Sequence, residues 1–202
     1  IANQNRGKVL LNIHSHSHWS HDGWLSHEKL AQWHKKNGFD AFFLTEHNNH
    51  NKTLELVEKQ RNNDFQQEPL IIAGEEYSGT NHILLLGLER DFRTKDMPDS
   101  TAIDSAQANN GVAIIPHWFA DEKKTIQHYI DQGADGFEIA NQGEGLTYNR
   151  DIFHQIVEKC EQNNLLVMGS CDYHGYGSAA FCWNALDIPG WHKKAMTKNE
   201  QP

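Results

Sequence analysis

The chain has 202 residues and a mass of 23.1 kDa, and its 18 Lys and Arg stand against 27 Asp and Glu, for a formal net charge of −9. This length can bury a core without disulfide bonds, and the acidic, scattered charge argues against a module that binds nucleic acid through general electrostatics. No apolar run approaches the roughly 20 residues of a membrane-spanning helix, so we expect a soluble protein.

Apolar runs of strand length alternate with helical patterns along the chain. The seven predicted strands are VLLNIH (9–14), DAFFLTEH (40–47), LIIAGEEY (70–77), HILLLGL (82–88), GVAIIPH (111–117), GFEIAN (136–141) and LLVMGSCDYH (165–174). The first helical pattern begins after Ser26, a predicted N-cap, and ends before Gly38. Repeated strand-helix units predict an α/β fold, a mainly parallel sheet wrapped by helices and closed as a TIM-like barrel. We expect one domain, residues 1–202, with a core over about 8–176 and a C-terminal loop and tail over 177–202.

The third and fourth strands are separated only by SGTN (78–81). This segment is too short for a crossover helix, so the two strands should pair as an antiparallel hairpin. The fourth strand then begins at the edge where its neighbours end.

The two ends of the sequence carry different expectations. The chain starts without Met, so its compartment is unknown; we expect cytoplasm by default and, as the alternative, an extracytoplasmic or membrane-anchored domain whose N-terminal segment is missing here. The segment from about residue 175 predicts a loop with aromatic anchors at Phe181, Trp183 and Trp191, followed by a polar tail.

Imidazole and carboxylate side chains gather at the predicted carboxyl ends of the strands, where the active sites of α/β barrels lie. Five strands end in such residues, the reversed fourth strand begins with one, and the loop after the first strand adds an aspartate. These nine residues are His14, His16, Asp22, His47, Glu76, His82, His117, Asp172 and His174. Their recurrence at one edge favours a metal site over isolated structural histidines.

Strand alternation selects among neighbouring candidates, because residues two apart point to one face. If each strand continues its inward-facing side, alternation favours Glu76 over Glu75 as the ligand. It also predicts that His117 points to the same face as Ile115 and Ala113. Histidines inside helical patterns or near the tail are expected at the surface: His27, His34, His128, His154 and His192. Histidines close to the rim are candidates for contacts to substrate or to the ligands: His18, His21 and His50.

The cysteines form an odd set with no C-x-x-C pair: Cys160, Cys171 and Cys182. This pattern suggests neither a disulfide framework nor a thiolate zinc site. We expect buried free thiols.

Six short motifs follow one another in the order found in one family. They are HSHSHWSHDG (14–23), TEH (45–47), GEE (74–76), NHILLLG (81–87), AIIPH (113–117) and GSCDYHG (169–175). Over about residues 8–176 the chain resembles the PHP (polymerase and histidinol phosphatase) domain of metal-dependent phosphoesterases. The resemblance implies a distorted seven-stranded β/α barrel with the nine residues above as its metal ligands. Glu46 stands where Asp is more common, which should be tolerated because His47 is the proposed ligand.

The first motif departs from the family pattern. His21 stands between Ser20 and Asp22, where Asp usually follows Ser directly, so either His21 or Asp22 is the ligand from the first loop. A shifted register would pair His16 with His18, but the spacing to Ser20 favours the unshifted one.

Nine nitrogen and oxygen donors exceed the coordination of one ion, so two or three divalent ions of Zn, Mn or Fe are implied. Three ions carry about +6 charge, which three carboxylates offset only by half, and such a site suits an anionic phosphate ester.

The expected reaction is hydrolysis of a phosphate mono- or diester by a hydroxide that bridges two ions, with Glu76 or Asp172 helping to hold the pair. His18 or His21 is the candidate acid for the leaving alkoxide, and Arg150 is a candidate phosphate clamp.

Two other hypotheses belong to different classes. The same site could hydrolyse a non-phosphate bond of the C–N type, or the chain could be a non-catalytic PHP domain stabilised by metal. A complete ligand set argues against the latter. The expected partner is a small phosphorylated substrate, a nucleotide or an oligonucleotide end, with no general nucleic-acid binding, no membrane contact and an unknown oligomeric state.

Overall fold

A computed structural model describes residues 7–62, 68–79, 81–92, 96–118, 124–143 and 150–191. The strands in these ranges are β1 (Val9–Asn12), β2 (Ala41–His47), β3 (Leu70–Ser78), β4 (His82–Leu86), β5 (Val112–Ile115), β6 (Gly136–Asn141), β7 (Leu166–Ser170) and β8 (Asn184–Leu186). The helices are α1 (His27–Lys36), α2 (Asn51–Arg61), α3 (Asp99–Ala108), α4 (Ile126–Asp131) and α5 (Arg150–Asn163). Among the described residues, none of the helices has the length and apolar character needed to cross a bilayer.

The described strands form one sheet in the order β7-β6-β5-β4-β3-β2-β1-β8. Pairing is parallel within β1-β2-β3 and within β5-β6-β7, because a helix returns the chain between successive strands. β4 is antiparallel to both of its neighbours, and β8 is antiparallel to β1. The predicted barrel and its β3-β4 hairpin are therefore confirmed, with eight strands instead of seven.

The sheet curls until its two ends nearly meet. Beyond the ends of β1 and β7, Ser15 and Tyr173 form an isolated parallel bridge. Within the strands themselves, the Asn184 Nδ2 amide of β8 donates to Leu11 O of β1 at 3.2 Å and to Gly169 O of β7 at 2.7 Å. One side chain thus links the three strands. These contacts hold together the edge at which the predicted site lies.

The C-terminal segment differs from the predicted loop. It contains the short strand β8, which pairs with β1. Trp183 and Trp191 are partly buried against the core, as expected of anchors. Phe181 is 63% exposed, so its prediction as an anchor was wrong. Residues 192–202 lie outside the described residues, and His192 with them.

Two apolar layers follow from strand alternation. Residues such as Leu11, Leu84 and Ile114 fill the barrel interior, whereas their strand neighbours pack outward against the helices. The three cysteines are free and buried, as predicted.

Helix α1 begins and ends as predicted, but the predicted exposure of one of its histidines was wrong. The Ser26 hydroxyl accepts from Lys29 N, and Gly38 adopts a φ of +84° just past the helix. His34, predicted at the surface, is fully buried. Its Nδ1–H donates to Leu30 O at 2.9 Å, and its Nε2 accepts from Asn12 Nδ2 at 2.9 Å, which fastens the helix to β1.

The other helical histidines follow the expectation more closely. His154 is exposed, and His27 and His128 are half-buried. His27 packs against Trp19 of the first motif, with ring centroids 5.0 Å apart, but is not among the residues of the cluster.

Candidate metal centre

Glu76 lies at the centre of the predicted ligands, near the carboxyl end of β3. Its carboxylate is 3.1 Å from His14 Nε2, 3.2 Å from His16 Nε2, 3.2 Å from His47 Nδ1, 2.7 Å from His82 Nδ1 and 3.1 Å from His117 Nε2. One carboxylate thus meets imidazoles delivered by four different parts of the chain.

Asp172 and Asp22 complete the cluster on either side of His16 and His174. The Asp172 Oδ1 atom is 3.3 Å from His14 Nε2, 3.5 Å from His16 Nε2 and 3.5 Å from His174 Nδ1. Asp22 Oδ2 is 3.2 Å from His47 Nε2 and 3.4 Å from His174 Nε2. The structure therefore brings all nine sequence-predicted residues together.

The two alternatives left open in the first motif differ in their geometry. His21 is at the surface, its side chain 80% exposed and its Nε2 3.8 Å from Asp22 Oδ2, while Asp22 itself contacts two other members of the cluster. His14 is fully buried within the cluster, whereas His18 is exposed and its ring meets Leu25 O. Both observations favour Asp22 and the unshifted register.

The donor set fits metal ions. Three groups of residues offer ligand atoms that all lie within 4.8 Å of one another: His16, Asp22, His47 and His174; His14, Glu76 and His117; and His14, His16 and Asp172. Two donors that share an ion at about 2.1 Å are roughly 3.0 Å apart at right angles and roughly 3.4 Å apart in a tetrahedron, close to the spacings above.

Buried donor atoms without hydrogen bonds point the same way. His14 Nε2, His16 Nε2, Asp22 Oδ1 and Asp172 Oδ1 are buried and have no hydrogen-bond partner within the described part of the chain. Buried polar atoms in proteins are almost always satisfied. Other buried atoms, such as Trp33 Nε1 and Thr53 Oγ1, also lack a partner among the described residues, but these four lie together in the cluster of predicted ligands.

The cluster is built to stabilise positive charge. Burial lowers the pKa of His16, but the carboxylates of Asp172 and Glu76 outweigh it and raise the pKa to about 9. The pKa of His14 rises well above its usual value for the same reason, against the effect of its complete burial. Burial opposes ionisation of Glu76 and Asp172, yet the adjacent imidazoles hold both carboxyl pKa values below their usual range. Carboxylates that favour imidazolium here would favour a metal cation in the same way.

Glu138 and Asn141 support the cluster and were not among the predicted site residues. Glu138 is fully buried in β6, where Oε1 accepts from His14 Nδ1–H at 3.2 Å and Oε2 accepts from His117 N–H at 2.9 Å. The Asn141 amide donates to Glu138 Oε2 at 3.0 Å and to Asp172 Oδ2 at 3.2 Å. A glutamate inside the apolar strand GFEIAN is itself the signal that could have identified it, because glutamate is seldom buried without a partner.

A second buried network holds the first motif against β2. Ser17 N donates to Glu46 Oε1 at 2.9 Å, and the Ser20 hydroxyl donates to Glu46 Oε2. Ser20 Oγ lies 3.2 Å from His16 Nδ1 and accepts from His47 N at 3.1 Å. The glutamate that replaces the more common aspartate therefore orders the loop that carries His16.

His117 reaches the cluster by a different route from the one predicted. Ile115 and Ala113 pack outward against the helices, so His117 does not share their row. β5 ends at Ile115, and after Pro116 the backbone of His117 takes a φ of +30°, which turns the ring into the site. Asp172 also has a positive φ, +44°. Non-glycine residues rarely adopt this conformation, and its recurrence at functional sites is known.

A cavity of about 520 Å³ opens beside the cluster, lined in part by His21, Asp22, His47 and His82. His18 lies outside this lining, with its ring tilted against Trp19 at 5.9 Å. Arg150 is exposed at the start of α5, with Nε 3.5 Å from His154 Nε2. Of the predicted contacts to substrate, His21 is thus the one placed at the cavity.

A barrel that gathers nine imidazoles and carboxylates at the carboxyl ends of its strands defines a class: α/β barrels with a site able to hold several metal ions. The PHP domain family matches residues 12–163, and the chain belongs to that family. No curated protein matches the chain.

Solved structures of similar fold include three bacterial proteins. A two-domain Bacteroides vulgatus protein that contains a predicted PHP-like metal-dependent phosphoesterase is 22% identical with a TM-score of 0.66, over 84% of this chain and 53% of that one. An amidohydrolase from Chromobacterium violaceum, with bound sulfate and no metal, is 14% identical with a TM-score of 0.64, over 91% and 95%. A Bifidobacterium adolescentis protein, whose assignment as a metal-dependent phosphoesterase is itself a prediction, is 14% identical with a TM-score of 0.61, over 91% and 94%. The chain thus spans about half of the Bacteroides protein, and likeness at these identities shows the fold alone.

Proposed function

We propose that the protein hydrolyses phosphate mono- or diesters with the help of two or three divalent ions of Zn, Mn or Fe. The observation that carries the proposal is a set of buried ligand atoms that have no hydrogen-bond partner among the described residues and lie beside an open cavity. His14, His16, Asp22 and Asp172 contribute these atoms. Membership of the PHP domain family supports the same reaction class.

The charge of the site suits an anionic substrate. Three of the nine cluster residues are carboxylates, and the buried Glu138 adds a fourth against His14. Three divalent ions bring about +6, so roughly two positive charges remain uncompensated. This local excess would attract a phosphate ester to a protein whose formal net charge is −9.

The residues of the chain divide the work of hydrolysis. Water adds to phosphorus, the P–O bond of the ester breaks, and the leaving alkoxide takes a proton. Metal ions held by the nine residues would supply Lewis acidity and lower the pKa of water towards about 7. Glu76 and Asp172 hold the imidazoles in one place. Glu138 keeps the His14 Nδ1–H donating away from the cluster, so Nε2 is the nitrogen left to give up its proton and bind a metal ion. His21, exposed at the cavity, is the proposed proton donor.

A second candidate is hydrolysis of a C–N bond at the same site. The structure named as an amidohydrolase has a similar fold over 91% of this chain. The same Lewis-acid chemistry would polarise a carbonyl oxygen, and a third candidate, a non-catalytic domain stabilised by metal, would bind ions without turnover.

A substrate screen combined with elemental analysis tests all three candidates. Protein loaded separately with Zn, Mn and Fe is offered phosphate monoesters, phosphate diesters and simple amides, and His47→Ala and Asp172→Asn are assayed beside it. We expect phosphate release by the wild type and loss of both metal and activity in the variants. Full metal content without phosphate release from any ester would overturn the proposal, and amide cleavage alone would establish the second candidate.

A further inference from the structure

We propose that Trp24 and Tyr176 form a stacking site for a planar aromatic group of the substrate, so that the preferred esters are phosphates of nucleosides or similar ring-bearing alcohols. This inference rests on the proposed phosphoesterase function and names its substrate class. It starts from two large aromatic side chains that the structure leaves in solvent.

Trp24 and Tyr176 are 68% and 64% exposed, the highest values among the large hydrophobic residues that the structure describes. Their ring centroids are 5.8 Å apart and the planes are inclined by 59°. Tyrosine and tryptophan offer wide apolar contact at a small cost in side-chain entropy. Two such rings held together at the surface form a defined place for a flat ligand.

The chain fixes this pair to the metal centre. Trp24 follows Asp22 by two residues, and Tyr176 follows His174 by two residues. The Trp24 N–H donates to His174 O at 3.0 Å, which joins the two loops. Gly175 precedes Tyr176 and has a φ of +106°, a conformation that glycine adopts without strain, and a Cβ there would be 3.1 Å from Trp24 Cβ, so glycine suits this close approach.

The cluster is open to solvent at the two ligand residues that precede the pair in the chain, Asp22 and His174. His14 and His16 have no exposed surface, whereas the side chains of Asp22 and His174 are 39% and 21% exposed. Two residues of extended chain span at most about 7 Å, a separation of the order of that between the base and the 5′-phosphate of a nucleotide. The proposal thus puts the phosphate at the cluster and the attached base on the rings.

The matched probes are adenosine 5′-monophosphate and ribose 5-phosphate, which carry the same phosphate on the same carbon and differ in the base. Stacking on aromatic side chains favours a base by roughly 5- to 150-fold. We expect wild-type kcat/KM to be at least about 5-fold higher for the nucleotide. The variants Trp24→Ala and Tyr176→Ala should each move the ratio of the two kcat/KM values towards one, and Trp24→Phe should keep most of it.

Phe181→Ala is the matched control, since Phe181 is an aromatic residue of similar exposure, 63%. It should leave the ratio as in the wild type. Equal kcat/KM values for the two esters in the wild type, or an equal loss of preference in the Phe181 variant, would overturn the stacking site while leaving the phosphoesterase proposal in place.

A binding measurement decides the question independently of turnover. Adenosine, which has no phosphate, is titrated into ¹⁵N-labelled protein, and the indole N–H resonance of Trp24 is identified by its loss in Trp24→Phe. We expect this resonance to shift with adenosine and not with ribose. An unmoved resonance would refute the stacking site even if both esters are hydrolysed. A shifted resonance in a metal-loaded protein that releases phosphate from no ester of the screen would keep the stacking site and refute the phosphoesterase proposal.

Discussion

Glu138 explains how a buried histidine is held in one tautomer. A carboxylate only accepts hydrogen bonds, so His14 must carry its proton on Nδ1, 3.2 Å from Glu138 Oε1. The same carboxylate accepts from His117 N, and Asn141 links it to Asp172. Glu138 therefore orients His14 and His117 directly and Asp172 through Asn141.

Replacing Glu138 by Gln should lower metal affinity by about 10- to 100-fold. The amide keeps the size of the side chain but offers one acceptor in place of two, so either His14 or His117 N–H loses its partner. Affinity is measured by competition with a chromogenic chelator. Glu75→Gln is the control, because Glu75 is equally buried but contacts His50 on the outer face of β3. Wild-type affinity in the Glu138 variant, or an equal loss in the Glu75 variant, would contradict this role.

His21 is the residue whose proposed role depends on the leaving group. If it protonates the departing alkoxide, His21→Ala should lower kcat by about 10²- to 10⁴-fold for alkyl phosphates. For p-nitrophenyl phosphate, whose leaving group is acidic and needs no proton, the loss should be small. The two substrates are compared in steady-state assays, with His18→Ala as the control because His18 lies outside the cavity lining. A similar loss for both substrates would assign His21 to binding instead of proton transfer.

At the scale of elements, the contact between α1 and β1 depends on a histidine that stays neutral. Burial lowers the pKa of His34 to about 3. Its ring stacks on Phe42 at 3.9 Å and bonds to Leu30 O and Asn12 Nδ2. Among the described residues no carboxylate pairs with the ring, and burial outweighs the effect of the Leu30 carbonyl, which favours the protonated form.

This neutral histidine predicts a loss of stability in acid. A histidine in the unfolded chain takes up a proton near pH 6.5, whereas His34 in the folded chain does so only near pH 3. Between these values the unfolded state binds more protons, so the free energy of unfolding falls as pH falls, by about 2 kcal/mol from this group at pH 5. Urea denaturation of metal-free protein at pH 7 and pH 5 measures the change.

Comparison with His34→Gln isolates the contribution of His34. Glutamine does not titrate, and the contribution of the metal-free cluster is the same in both proteins and cancels in the difference. We expect the variant to lose about 2 kcal/mol less than the wild type between the two pH values. His154→Gln, which alters an exposed histidine of α5, should behave like the wild type. Equal pH dependence in the wild type and the His34 variant would show that His34 is not the source.

The sequence allowed the elements to be predicted where apolar runs are long. All seven strands of the prediction are present. β4 and β5 carry consecutive buried apolar residues, whereas β6 and β7 are only partly buried and are recognised by their apolar composition. β8 was missed because Asn-Ala-Leu is too short to show a period, and it forms only by pairing with β1. His34 was misplaced because it lies in a polar stretch, and only the partner on β1 reveals its burial. The prediction that His117 points to the same face as Ile115 and Ala113 was wrong because the chain leaves the regular strand at Pro116, where the alternation of side chains no longer applies.

At the scale of the whole molecule, the candidate metal centre joins segments that lie far apart in the chain. His14 and Asp172 are at opposite ends of the sequence, yet their ligand atoms are 3.3 Å apart. They sit where β1 and β7 meet, at the bridge between Ser15 and Tyr173. Ions bound there would fasten the closing edge of the barrel as well as serve chemistry.

Removing bound metal should therefore lower the thermal unfolding midpoint. A ligand present at 100 times its Kd stabilises the folded state by about 2.7 kcal/mol, which corresponds to about 5–10 °C for a domain of this size. Calorimetry of metal-loaded protein, of the same sample after chelation, and after metal is restored measures the shift. In Asp172→Asn chelation should change the midpoint less, because the variant holds less metal. If elemental analysis shows complete removal and the wild-type midpoint does not move, the ions do not stabilise the closing edge, and their binding energy is not coupled to folding.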